Sequence, residues 1–241
     1  MTGLTSDNPS VRLQAALAAG TTGGPEMVGT LIERCAAESD FFVRDMLTWA
    51  LTRHPAAVTV PALVAELGSA NPQARSQALH TLSKVGDRRA WPAVTRALLT
   101  DAHDEVARSA WRAAVVLVPA GEEAELAGVL VTQLGRGDRE TQLSLSRALV
   151  ALGEAVRPAL QAAADDPEPR VRGHALATQR LLRDPDASFE YAVEQAKRIV
   201  ALGGDDAEQA KRADEPHGAD QVERVAEPGD REGDDADRVD R

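Results

Sequence analysis

Three stretches decide the fold: Asp40–Leu51 (DFFVRDMLTWAL), Asn71–Leu82 (NPQARSQALHTL) and Asp104–Val115 (DEVARSAWRAAV). Each opens with Asp or Asn and places a small aliphatic residue three positions later, followed at once by Arg. Apolar residues then recur at helical spacing. Two looser copies are Asp138–Leu149 (DRETQLSLSRAL) and Pro167–Thr178 (PEPRVRGHALAT). A sixth copy, Asp7–Ala18 (DNPSVRLQAALA), carries one inserted residue. The small-aliphatic positions are Val11, Val43, Ala74, Ala107, Thr141 and Val171, at intervals of 32, 31, 33, 34 and 30 residues. A period in this range is the signature of a repeat architecture.

The opening residues Asp7, Asp40, Asn71, Asp104 and Asp138 are good helix N-caps, and Pro167 stands near the start of its copy, where proline is tolerated. Between these helices lie shorter apolar segments, roughly 25–37, 58–68, 91–100, 122–135, 155–164 and 187–202. Hydrophobic residues make up 43% of the chain but aromatics only 3%. Alanine and leucine suit tightly stacked helices better than a β core. Two helices per repeat with short loops give an all-α fold, an α-solenoid of about six stacked helix pairs in which each pair buries its apolar face only against its neighbours. The solenoid is expected over residues 1–203. Only Met1–Ser6 precede the first cap, so the opening face is expected to be bare or to belong to something outside this sequence.

The pattern D-x-x-(V/A)-R-x-x-A-L resembles the second helix of a HEAT repeat, of the short variety called phycobilin-lyase-like. The resemblance covers about residues 5–202 and speaks to fold more than to function. The stretches FFVRDMLTWALTRHPA and QARSQALHTLSKVGD are similar to the HEAT-repeat portion of some actinobacterial MerR-type transcription regulators. No helix-turn-helix head accompanies them here, so the resemblance implies a regulatory or interaction module. It also implies that Arg12, Arg44, Arg75, Arg108 and Arg172 form a structural ladder with the acidic caps, tying successive turns together. Gln142 replaces Arg in the fifth copy, where a weaker or bent junction is expected.

The formal charge is −11, unevenly spread: residues 204–241 hold 14 acidic and 6 basic side chains, against 24 and 21 in the first 203. The body is nearly balanced, which disfavours nucleic acid as a partner. The segment 204–241 is rich in Asp, Glu, Gly and Ala and reads as a disordered acidic tail. Cys35 is the one cysteine, so an intrachain disulfide is excluded. Its apolar surroundings mark it as a small core residue. No apolar run reaches membrane-spanning length, and the expected location is the cytoplasm, without membrane attachment.

No HxxxH or CxxC pair offers a zinc ligand set, and no phosphate-binding glycine motif occurs, so no metal and no cofactor is expected. Glu122, Glu123 and Glu125 suit a helix start; Asp165 and Asp166 suit a turn and cap. Ser76 and His80 stand one turn apart but lack a third orienting group. Better than these is a band along the second helices, which in such repeats line the concave surface: Trp49, Arg53, His80, Lys84, Arg112 and Arg147. Aromatic and basic side chains in one band suit an acidic peptide, a phosphate or single-stranded nucleic acid, and with the body nearly neutral a protein or acidic peptide partner is expected. The reading that follows is a non-catalytic interaction scaffold or regulatory module linked to transcription. The competing reading is an enzyme, either a HEAT-like DNA-repair glycosylase built on Trp49, Trp111 and Arg112 or a phycobilin-lyase-like protein.

A chain ending at Gly203 should keep its melting temperature within about 2 °C of the full chain, because segments without packing contribute little. A drop of about 5 °C or more in calorimetry would show that the acidic segment packs on the body.

Overall fold

The structure, a computed structural model, describes residues 2–184 and 189–202; the segment 204–241 lies outside the described residues. All regular structure among them is helical. A 3-10 turn, Thr2–Thr5, leads into α1 (Pro9–Thr22), α2 (Met27–Ala37), α3 (Phe41–Arg53), α4 (Ala56–Glu66) and α5 (Pro72–Val85). A second 3-10 segment, Arg88–Ala93, precedes α6 (Arg96–Leu99) and α7 (Asp104–Leu117). Then come α8 (Glu123–Leu130) with a 3-10 extension Val131–Gln133, and α9 (Arg139–Ala151). The 3-10 turn Gly153–Val156 opens α10 (Arg157–Ala164), followed by α11 (Pro169–Arg183) and α12 (Phe189–Leu202).

The helices form two layers. In one, α1, α3, α5, α7, α9 and α11 each pack on the next; in the other, α2 packs on α4, α4 on the Arg88–Ala93 segment, α6 on α8 and α8 on the Gly153–Val156 turn that opens α10, while α12 packs on α11. One buried core of alanine, leucine and valine runs between the layers along the whole array. Among the described residues the fold is thus an α-solenoid of six helix pairs. Ala50, Ala78, Ala110 and Ala148 are buried in the second helices and let neighbouring backbones approach. At Gly20 the approach is closest: a Cβ there would meet Ala50 Cα at 2.7 Å. The expected helix over 91–100 is broken. Pro92 supplies no N–H for an α-helical bond, and the chain makes a 3-10 segment and a single α turn instead.

One hydrogen-bonding device recurs before the second helices. The residue two places ahead of the N-cap accepts the cap's N–H through its side chain: Ser6 at Asn8, Glu38 at Asp40, Ser69 at Asn71, Asp101 at His103 and Asp166 at Glu168. The residue four places after the cap is an arginine whose Nη1 donates back to both loop carbonyls. Arg12 reaches Ser6 O and Asp7 O, Arg44 reaches Glu38 O and Ser39 O, Arg75 reaches Ser69 O and Ala70 O, and Arg172 reaches Asp166 O and Pro167 O. Each arginine therefore satisfies two carbonyls that lie outside any helix.

This corrects the expected ladder in three respects. The arginines chiefly staple their own loops. Where they tie successive repeats, the partner is the loop acid and not the cap: Arg12 holds Glu38 in a bidentate pair at 2.7 Å, and Arg75 binds Asp101 at 2.9 Å. The caps are also redistributed. Asp40, Asn71 and Asp138 cap their own helices, but α1 is capped by Asn8 and α11 by Glu168. In α7 the cap is His103, so Asp104 is the first helical residue. Counting from His103, the staple position of α7 is Ala107, not Arg108. Arg108 pairs instead with Glu140 of the next repeat. The carbonyl left unserved at Asp101 accepts from Arg136 Nη2, whose Nε donates to Asp104 at 2.8 Å.

The α9 junction, where Gln142 occupies the staple position, is tied by His174. Its Nδ1 accepts from Gly135 N–H at 3.0 Å, so Nε2 carries the proton and faces Gln142 O at 3.0 Å and Ser146 Oγ at 2.9 Å. Burial pushes this imidazole down to about 4, fixing it neutral at pH 7. At the opening end, the Thr2–Thr5 turn packs on α1 and buries Leu4. Val11 stays 42% exposed, whereas its counterpart Val43 is 1% exposed.

Two stability predictions follow from these ties. Arg136→Ala should destabilise by about 1.5–3 kcal/mol, the scale of lost charge-assisted hydrogen bonds, while Arg108→Ala should change stability by less than about 1 kcal/mol; urea denaturation of both variants would reveal the reverse order if Arg108 were the staple. Arg12, acting first by hydrogen bond, holds the buried Glu38 carboxyl at about 2. Glu38→Gln should cost about 2–3 kcal/mol at pH 7. A depressed carboxyl stabilises above its unfolded value, so the difference from wild type should shrink as pH falls from 4.5 towards about 2. A pH-independent difference would show that its charge does not contribute.

Candidate binding groove

Counted from the observed caps, Trp49, His80, Arg112 and Arg147 each lie nine residues into their helices. Successive second helices pack side by side, so this row crosses the layer from repeat to repeat. Two adjoining cavities open along it. The first, about 350 Å³, lies among α3, α5, α7 and the start of α9, and His80, Arg108 and Arg112 line it. The second, about 370 Å³, lies between α5, α7 and α9, with Lys84, Arg112 and Arg147 around Val116 and Leu143. Arg108, Arg112 and Glu140 line both, which makes them one groove.

The structure therefore brings together His80, Lys84, Arg112 and Arg147 from the expected band. Trp49 and Arg53 do not line either cavity. The Trp49 ring leans over α1, where a Cβ on Gly20 would come within 2.6 Å of it, and Arg53 is exposed in the last turn of α3. Sequence reasoning missed Arg108, which it had assigned to the ladder, together with Thr48 and Glu140. The signal for Arg108 was available: His103 lies two residues after Asp101, as Asp40 lies after Glu38, and that spacing marks the true cap.

A polar chain fixes the first cavity's wall. Arg112 Nη2 donates to Ser109 Oγ at 3.1 Å, Ser109 and Ser76 share a hydrogen bond at 3.0 Å, and Ser76 Oγ reaches Glu105 O at 3.2 Å. Ser76 is thereby committed, and its pairing with His80 as a nucleophile and base is not formed. Among the described residues, Lys84, Arg112 and Arg147 have no carboxylate at ion-pair distance. Desolvation, followed by the Arg108 charge, holds the Arg112 guanidinium below its usual range. Burial, followed by Arg112 and Lys84, lowers the His80 imidazole, against an opposing pull from Asp45. In both groups burial is the first cause and neighbouring like charge the second, with Glu140 opposing the shift at Arg112 as Asp45 does at His80.

The remaining candidates have structural places. Trp111 is wholly buried and donates Nε1–H to Leu99 O at 2.8 Å, so it belongs to the core and is closed to a substrate. Glu122 accepts from Trp91 Nε1 and Glu123 opens α8. Asp165 ends α10, and Asp166 serves the α11 cap. Cys35 is buried, which pushes its thiol up to about 12. No cluster of three potential metal ligands occurs among the described residues, and none of their helices is long and apolar enough to cross a membrane.

A family described as HEAT repeats matches residues 43–115, from the first turn of α3 to near the end of α7. No curated protein matches. Among solved structures, a crystal structure described as an engineered protein is similar at 20% identity, covering 81% of this chain and 95% of its own, with a TM-score of 0.43. Residues 43–115 thus match HEAT repeats, and the helix pairs on either side continue the same stacking in an all-α, HEAT-like solenoid.

Proposed function

We propose that this protein is a non-catalytic interaction module whose second-helix groove docks an acidic polypeptide segment. The observation that carries the reading is the convergence of Lys84, Arg112 and Arg147, without carboxylate partners among the described residues, on a cavity that also exposes Val116. Unpaired cations around an aliphatic floor complement a segment that alternates acidic and small apolar side chains. Phe41 and Phe42, 66% and 70% exposed at the start of α3, extend the contact surface beside the first cavity. HEAT repeats serve generally as protein-interaction scaffolds, which supports the same reading. We further propose a link to transcription regulation, supported by the sequence resemblance to the repeat portion of MerR-type regulators.

The test uses a fluorescent dodecapeptide alternating glutamate and alanine, with its lysine–alanine counterpart and a single-stranded oligonucleotide of similar length. The full chain should bind the glutamate peptide, more weakly as salt rises. Changing Lys84→Glu, Arg112→Gln and Arg147→Glu together should weaken binding by about tenfold or more while leaving the helical circular dichroism intact. Equal capture of the lysine peptide, preference for the oligonucleotide, or capture that survives the triple change would sink the reading.

A further inference from the structure

The first cavity carries features that general docking of an acidic chain does not require. Thr48 lies on its wall, is only 3% exposed, and its Oγ1 has no hydrogen-bond partner. A buried hydroxyl without a partner carries a desolvation cost, and a helical threonine ordinarily avoids it by bonding back to its own backbone. Nε of Arg108, on the facing helix, is likewise buried and unpartnered. Thr48 from α3 and Arg108 from α7 therefore line one space, each with a buried donor that no protein group uses, and Arg112 and His80 line it beside them.

The charges of the lining decide what would fill it. Arg44, Arg108 and Arg112 are matched in number by Asp45, Glu105 and Glu140. Arg108 is already paired with Glu140. With His80 neutral the lining has no formal net charge; with His80 protonated it carries one positive charge. A dianion such as a phosphate monoester would meet three carboxylates with too little compensation. A single carboxylate would be matched by one proton.

We propose that this cavity is the subsite for one carboxylate side chain of the docked segment, recognised by Thr48 Oγ1, Arg108 Nε, Arg112 and His80. The proposal rests on the acidic-segment reading above and specifies the group that anchors it. The carboxylate is taken up together with a proton on His80, because a new negative charge favours the imidazolium. The charges that face His80 are Arg112 from α7, Lys84 from its own helix and Asp45 from α3; Arg44 from α3, Arg108 and Glu105 from α7, and Glu140 from α9 complete the charged surroundings. Affinity should accordingly rise as pH falls through the range where free His80 titrates, until the ligand's own carboxylate protonates.

Proton NMR of the full chain tests this, with the His80 ring signal assigned by its loss in His80→Gln. The probes are N-acetyl-glutamic acid α-amide, its glutamine counterpart and N-acetyl-phosphoserine amide. Saturation with the glutamic probe should raise the His80 midpoint by about one pH unit, and the glutamine probe should leave it in place. Thr48→Val, which removes the unpartnered hydroxyl without changing shape, should keep or raise the melting temperature yet weaken the glutamic probe severalfold; Arg53→Gln should not weaken it. An unmoved midpoint, an equal effect of the glutamine probe, or tighter binding of phosphoserine would overturn the subsite. If the glutamate dodecapeptide still binds through Lys84 and Arg147 in that event, the docking reading stands without the anchor; loss of both sets of results removes the docking reading as well.

Discussion

The arrangement depends on a constraint common to all repeats: a helix pair that cannot bury its own apolar face must meet its neighbour at a fixed height and rotation. The loop ahead of the second helix sets that meeting. Its carbonyls belong to no helix, and the bond to one of each pair is part-buried. The arginine four residues past the cap closes on two of them, as Arg44 does on Glu38 O and Ser39 O. Its side chain spans one helical turn, so the loop and the helix start are locked as one unit. Where the loop also carries an acid, as at Glu38 or Asp101, the arginine of the preceding repeat is tied to it. Local closure and repeat-to-repeat spacing then depend on the same few atoms.

The groove lies where that device is suspended. In α7 the staple position holds Ala107, and Arg136 from the following loop serves Asp101 O in its place. Arg108 is thereby released from the loop and directed across the layer to Glu140, onto the shared wall of both cavities. In α9 the position holds Gln142, and the buried, neutral His174 takes over the tie. The repeats with an intact staple spend their arginine on structure. The two without it border the part of the molecule where unpaired cations collect. Arg108, the arginine freed from the loop, pairs with Glu140, and among the described residues Lys84, Arg112 and Arg147 beside it have no carboxylate at ion-pair distance.

Much of this was legible in the sequence. The period, the helix order and the recurrence of Arg12, Arg44, Arg75 and Arg172 all concern spacing within about one turn of a helix and its loop, where spacing along the chain equals spacing in the fold; the sequence marked the position of these arginines as structural, but read them as a ladder between turns and not as staples of their own loops. The alternation of second helices with shorter apolar ones determined the solenoid before any long-range contact was considered. What the tertiary structure alone decided is which side chains meet across repeats. Intervals that vary between 30 and 34 residues leave each helix free to shift by a residue, and one residue rotates a side chain by about 100°. That shift moved Arg108 from loop to groove. Packing against Gly20 drew Trp49 towards α1, and the pairing of Glu38 with Arg12, the tie of Arg136 to Asp101 O and the place of Thr48 on the cavity wall come from neighbours distant in sequence. Local hydrogen bonding repeats with the sequence; the facing of one repeat on the next depends on how both pack, and no single repeat contains that information.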